Sequence, residues 1–116
     1  MEWLKDEVRR GQYEESLVLF GRMLSRDPDD AQVLFARGDV CRLRDGPGDA
    51  NLALADLTRA SLSESAPPES FRALGLVQRR LANGPAANFA FEKYLALAPE
   101  SADAALIKTY LTESKQ

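Results

Sequence analysis

One twenty-residue phrase that returns at a near-constant spacing restricts this chain more than any other feature. Residues 11–30 read GQYEESLVLFGRMLSRDPDD, with Ser16, Phe20, Met23 and Leu24 spaced to share one helical face. Pro28 ends the run, because proline disfavours the helical state of the residue before it. Ala53, Leu57, Ala60 and Ser65 repeat Ser16, Phe20, Met23 and Pro28 at a shift of 37, and Ala87, Phe91, Tyr94 and Pro99 follow at a further 34. A repeat of that length is one helical hairpin that hides its apolar side against the next copy. The chain is therefore expected to be a stack of helix pairs.

The remaining helices fall into the same frame. An opening helix over about Glu2–Arg10 carries Trp3, Leu4 and Val8, and a second runs from about Tyr13 to Arg26. Laid back from Gly11, the first turn of the opening helix would lie upstream of Met1. Two readings follow, a worn first repeat or a piece cut from a longer protein, and the second is favoured. Asp27, Pro28, Asp29 and Asp30 form a turn whose Asp caps a third helix, Ala31 to Leu43. A calcium loop does not fit there, since Val33, Phe35 and Arg37 stand where oxygen ligands are needed. A fourth helix spans about Asn51 to Ser63. The fifth opens at Pro67 or Pro68 and runs to about Leu81, and the sixth covers Ala86 to Leu97. Ser101 caps a last helix, Ala102 to about Glu113, which gives seven helices and no competing strand pattern.

Gly38 and Gly75, 37 positions apart, each follow a large apolar residue by four, Leu34 and Phe71. Glycine inside a helix costs about 0.5–1 kcal/mol against alanine, so the pair predicts a repeated close helix crossing. The interval from Gly38 to Ala53 is three residues longer than that from Gly75 to Ala87, so an insertion lies between them. Asp45, Gly46, Pro47, Gly48 and Asp49 are its turn-forming residues. With no preceding strand and no lysine, this loop is not a phosphate cradle.

With those residues placed, the chain resembles the tetratricopeptide-repeat family over nearly its whole length. The match is carried by GQYEES with Phe20 and Pro28, by Leu34 with Gly38, by Phe71 with Leu74 and Gly75, and by Ala87, Phe91, Tyr94 and Pro99. It departs at Ser65, where the family usually has proline, and in the inserted loop. The resemblance implies an all-α, right-handed α-solenoid of antiparallel helix pairs in a single domain. Residues 1–30 would be a partial first repeat, 31–67 the second with the inserted turn 45–49, 68–101 the third, and 102–116 a capping helix. The ending YLALAPESADAALIKTYL is similar to the tails of repeat proteins of the proteobacterial envelope, some of which belong to zinc metalloproteases or lipoproteins. That likeness implies an accessory or self-associating segment whose catalytic part lies elsewhere, since no HExxH is present.

Composition matters here for what it removes. There is no histidine, so the commonest general base and metal ligand are both missing. Cys41 is the only cysteine and reads as a small buried hydrophobe. The acidic residues fall in caps and on solvent faces rather than as a facing pair, so the expectation is no enzyme, no cofactor and no metal. A net charge of −3 does not favour nucleic acid. No stretch is apolar enough to insert into a membrane, and the N-terminus is too charged for a signal peptide. Eleven arginines to four lysines hint at a GC-rich bacterial genome, with cytoplasm and periplasm both open.

In such a stack the first helix of each pair lines a face that holds peptides. Residues not used by the core on those helices are Lys5 and Arg9, then Phe35, Asp39, Arg42 and Leu43, then Arg72, Leu76, Arg79 and Arg80, and finally Leu106 and Tyr110. Their mixture of arginine and apolar islands suits a protein segment carrying carboxylates and large apolar anchors. The family's chaperone-tail clamp is not reproduced, because Asp39 and Ala73 stand where it has asparagines. Self-association through the first hairpin, giving a homodimer, is a further expectation.

Overall fold

Each hairpin turn can be traced to particular residues. The computed structural model describes the backbone of residues 2–114 and the side chains of residues 9–111. After Pro28, the Asp30 carboxylate accepts from the backbone N–H groups of Gln32 and Val33, at 3.0 and 3.3 Å, and so opens α2, Ala31–Arg44. Helix α2 ends where Asp45 adopts the left-handed conformation, φ 49°. Gly48, φ 81°, turns the chain into α3, Asp49–Ser61. Pro67 and Pro68 start α4, Pro68–Arg80, with Pro68 in the first turn. Ala82, in the left-handed region at φ 61°, and Asn83, whose side chain accepts from Ala86 N–H, join it to α5, Gly84–Leu97. The last helix, α6, is Ala104–Ser114.

The expected break near Gly11 does not occur. Glu2–Arg26 is one continuous helix, α1, of 25 residues. Six helices are therefore present among the described residues where the repeat frame predicts seven, and no strand is. The reason lies in the turn chemistry. Between residues 2 and 26 there is no proline and no asparagine, whereas the other hairpins turn at Asp-Gly-Pro-Gly or Ala-Asn-Gly-Pro. A glycine alone is only a cost of about 1 kcal/mol inside a helix, too little to break it.

Consecutive helices pack in pairs along the chain, and α2 also touches α4, so the leading helices of successive hairpins lie side by side. Among the described residues, three clusters fill the stack. Leu24, Val33, Leu34 and Ala60 join α1 to α2 and α3. Cys41, Ala53, Leu57, Ala73, Leu74, Val77 and Ala90 form the centre. Ala87, Phe91, Tyr94 and Ile107 seal α5 to α6.

The two glycines mark the crossings. A Cβ on Gly38 would stand 2.8 Å from Leu57 Cγ, and one on Gly75 would stand 2.5 Å from Phe91 Cδ1. Met23 departs from the face assigned to it and is 43% exposed, while its neighbour Leu24 is buried.

Candidate functional site

Helices α2 and α4 bring three of the singled-out residues to one cleft. Arg42, Leu76 and Arg80 line a volume of about 190 Å³ together with Asp45, Ala50 and Val77. The spacing of Leu76 and Arg80, one turn apart, puts both on the side of α4 that faces α2. The floor is apolar and the rim carries two guanidinium groups, each already near a carboxylate. Arg42 Nη2 lies 2.8 Å from Asp39 Oδ1, one turn back on the same helix. Arg80 Nε lies 3.6 Å from Asp45 Oδ1, and both of those side chains are more than half exposed. An exposed pair at that separation contributes little, about 0–1 kcal/mol.

The other candidates are dispersed. Arg72 leaves the cleft for the far end of the chain, where its Nη1 donates to Asp103 Oδ2 at 3.2 Å and its guanidinium stands 5.9 Å from the Tyr94 ring centre. Tyr94 Oη donates to Asp103 Oδ1 at 2.6 Å. That hydroxyl, more than Arg72, holds the Asp103 carboxyl below its ordinary value. Arg79 lies over the Tyr110 ring at 4.2 Å, a cation–π contact that ties α4 to α6. Tyr110 is itself half-buried with its ring 5.8 Å from that of Phe91, so it serves the core of the last hairpin. Phe35 is packed against both the first and the central clusters rather than standing free on the surface. Leu106 is exposed on α6. Lys5 falls outside the described side chains.

Leu43 and Arg9 belong to a second, wider cleft of about 580 Å³ between α1 and the inserted loop. Its far wall is held by charge-assisted hydrogen bonds. Arg44 grips Asp49 with two of them, 2.8 and 2.7 Å, and Gly46 N–H donates to the same carboxylate at 2.8 Å. The Arg44 fork, aided by the Gly46 N–H, pulls the buried Asp49 carboxyl below its usual range. A comparable fork, Arg37 on Asp56 at 2.6 and 2.8 Å, joins α2 to α3.

Sequence reasoning missed Asp45 and Ala50 as cleft walls, because an inserted turn has no counterpart in the other repeats to place it, and it missed Val77, which also belongs to the central core cluster. The Asp39–Arg42 pair is recognisable from its spacing of three. Arg72–Asp103 and Arg79–Tyr110, separated by 31 residues each, are not. Among the described residues no cluster of three or more His, Cys, Asp or Glu is arranged to hold a metal ion. Cys41 is buried, and that burial raises its thiol pKa, which keeps it protonated and unreactive. No helix among the described residues is long and apolar enough to cross a membrane.

No family model matches the chain, and no curated protein does. Among solved structures it is similar to a tetratricopeptide repeat protein from Parabacteroides merdae, with a TM-score of 0.75 and 23% sequence identity. The superposition covers 94% of this chain and 41% of that one, so the chain spans well under half of that protein's length. Helix pairs in sequence, leading helices side by side, and a glycine under an apolar side chain at each full crossing agree with that likeness. The chain has the tetratricopeptide-repeat fold, an all-helical solenoid of helix pairs.

Proposed function

We propose that this protein is a non-catalytic scaffold that holds a segment of another protein on the α2–α4 face. The single observation that carries the reading is the cleft between those helices. Leu76, Val77 and Ala50 give it an apolar floor, and Arg42 and Arg80 stand at its rim. A side chain such as Leu or Phe fits the floor, and an Asp or Glu beside it takes the Arg80 guanidinium from Asp45. Displacing a weak exposed pair costs little, and a charge-assisted hydrogen bond made at the edge of an apolar cleft is stronger than the pair it replaces. Arg72 and Arg79 contribute indirectly, by fixing α4 against Asp103 and Tyr110. The acidic residues Asp39 and Asp45 at the same rim select against ligands that lack a carboxylate to replace them.

The test is selection of binders from a random peptide library on the purified protein. The expected winners carry an acidic residue within one helical turn of a large apolar one. The double variant Arg42→Glu/Arg80→Glu should lose those peptides while its circular dichroism stays unchanged. Peptides retained by the double variant, or winners without acidic residues, would overturn the reading. Arg79 is best left out of this variant, since its removal also loosens α6.

A further inference from the structure

We infer that the side of α2 opposite the α2–α4 cleft is a second docking site, which takes an acidic helical segment of a partner protein. The inference is independent of the α2–α4 cleft. At 100° per residue, Arg37 and Arg44 share one side of α2, while Asp39 and Arg42 stand on the other. Helices α1 and α3 flank that first side with no close backbone approach to each other, and between them runs a cleft of about 490 Å³. Arg37 and Arg44 lie on its floor. Leu17 forms its α1 wall, and Leu52, Ala55 and Arg59 form its α3 wall.

The charges in this cleft all point one way. Arg37 grips Asp56, and Arg44 grips Asp49, each through Nε and Nη2. The arginine side chains are 33% and 29% exposed, whereas those of Asp56 and Asp49 are 9% and 3%. Each pair therefore keeps its anion inside and turns its cation towards the cleft. Nη1 of both arginines makes no hydrogen bond among the described residues and is left to donate to a ligand. Arg59, paired with the exposed Asp29, adds a third positive charge. The next repeat shows that the stack itself does not need these charges. Where this repeat has Arg37 and Asp56, that one has Leu74 and Ala90, both buried in the central cluster. Apolar residues in such a place are often as stabilising as an ion pair, so packing alone does not account for the charged version. The spacing of the two arginines fits one kind of occupant. Seven residues are two turns of helix, about 10 Å. A helix lying along α2 with two Glu or Asp residues seven apart offers one carboxylate to each Nη1. An apolar side chain midway between them meets Leu17 and the exposed Leu52.

Fluorescence anisotropy of the whole chain with a labelled helical peptide tests this. The peptide carries two Glu residues seven apart, a Leu midway between them, and uncharged helix formers elsewhere. Saturable binding that weakens with added salt is expected. Replacing both Glu by Gln, or shifting one of them by two positions, should weaken it about 10-fold or more, because charge-assisted hydrogen bonds are lost. Leu52→Glu alters a residue that is exposed in the free chain, so its circular dichroism should match the parent while its affinity falls by about the same factor. Should Leu52→Glu fail to fold, Ala55→Glu, exposed on the same wall, serves the same purpose. Arg42→Glu/Arg80→Glu lies on the other side of α2 and should leave this binding unchanged. Absence of binding overturns the inference, as do equal affinities for the Glu and Gln peptides or indifference to Leu52→Glu and Ala55→Glu. Loss of binding in Arg42→Glu/Arg80→Glu also overturns it, by assigning the peptide to the α2–α4 cleft.

Discussion

Helices α1 and α5 carry the same apolar phrase and differ in what surrounds it. In α5, Phe91 is completely buried, with Ala87 and Tyr94 beside it, between α4 on one side and α6 on the other. In α1 the matching Phe20 is half-buried and Met23 is exposed, because α2 is the only described helix whose backbone lies along it. The side chains are equally apolar, so sequence alone ranks the two sites as equivalent. A solenoid buries a residue by its neighbours, and the stability of each copy depends on how many flank it.

The largest expected effect tests that difference directly. Phe91→Ala should cost about 3–5 kcal/mol, the loss for a fully buried aromatic. Phe20→Ala should cost roughly 1–2 kcal/mol, since less of its surface leaves water on folding. Urea denaturation of the two variants at a concentration where the chain is monomeric gives both values. Equal losses would mean that α1 is as well covered as α5.

The glycines give a second comparison, one in which the same substitution changes sign. A Cβ at Gly75 meets the Phe91 ring, and the ring has little room to move in a buried cluster. Gly75→Ala should therefore cost about 1–3 kcal/mol by overpacking. A Cβ at Gly21, on α1, meets nothing within 4 Å. Gly21→Ala should add about 0.5–1 kcal/mol through helix propensity alone. Thermal melts of the two single variants should move in opposite directions, and a shared direction would place a close neighbour over α1.

This contrast also explains how far the sequence can be read. The phase of every helix is visible, because apolar spacing and turn residues agree in α2 to α6. Gly38 and Gly75 announce their crossings because their cost has no local benefit. The straightness of α1 is hidden, since the repeat frame asks for a hairpin and only the lack of turn-forming residues around Gly11 argues otherwise. Arg42, Leu76 and Arg80 emerge from helical spacing. Asp45 and Ala50 do not, because an inserted loop has no template from which to take its course. The partners of Arg72 and Arg79 depend on where α6 docks, which no local pattern states.

The end of the molecule where α5 meets α6 should respond to acid through Asp103. Asp103 accepts from the Tyr94 hydroxyl and from Arg72, and its folded-state pKa lies below the ordinary 3.8. A depressed carboxylate contributes stability that is complete above its unfolded value and disappears as pH falls through the folded one. Asp103→Asn should thus melt below the parent at pH 7, and the gap should begin to close below about 3.8. Met23, which stands where Tyr94 does, has no hydroxyl to make such a bond. A gap that persists unchanged in strong acid would assign the effect of the substitution to packing instead of charge.

The smallest effect concerns the turn before α5. Ala82 holds φ 61°, a left-handed conformation in which its Cβ crowds the following carbonyl. The turn before α3 meets the same need with Asp45, which tolerates that region, and with Gly48. Ala82→Gly removes the strain but also gives the unfolded chain more freedom, and the two terms oppose one another. The strain is the larger, so a net gain of about 0.5–1 kcal/mol is expected in urea denaturation. The same exchange at Ala53, buried inside α3, should destabilise instead, because there glycine gives up packing and helix propensity with no strain to relieve. A loss at both positions would show that the backbone at residue 82 is not in the left-handed region, and the tight entry into α5, on which the burial of Phe91 depends, would need another explanation.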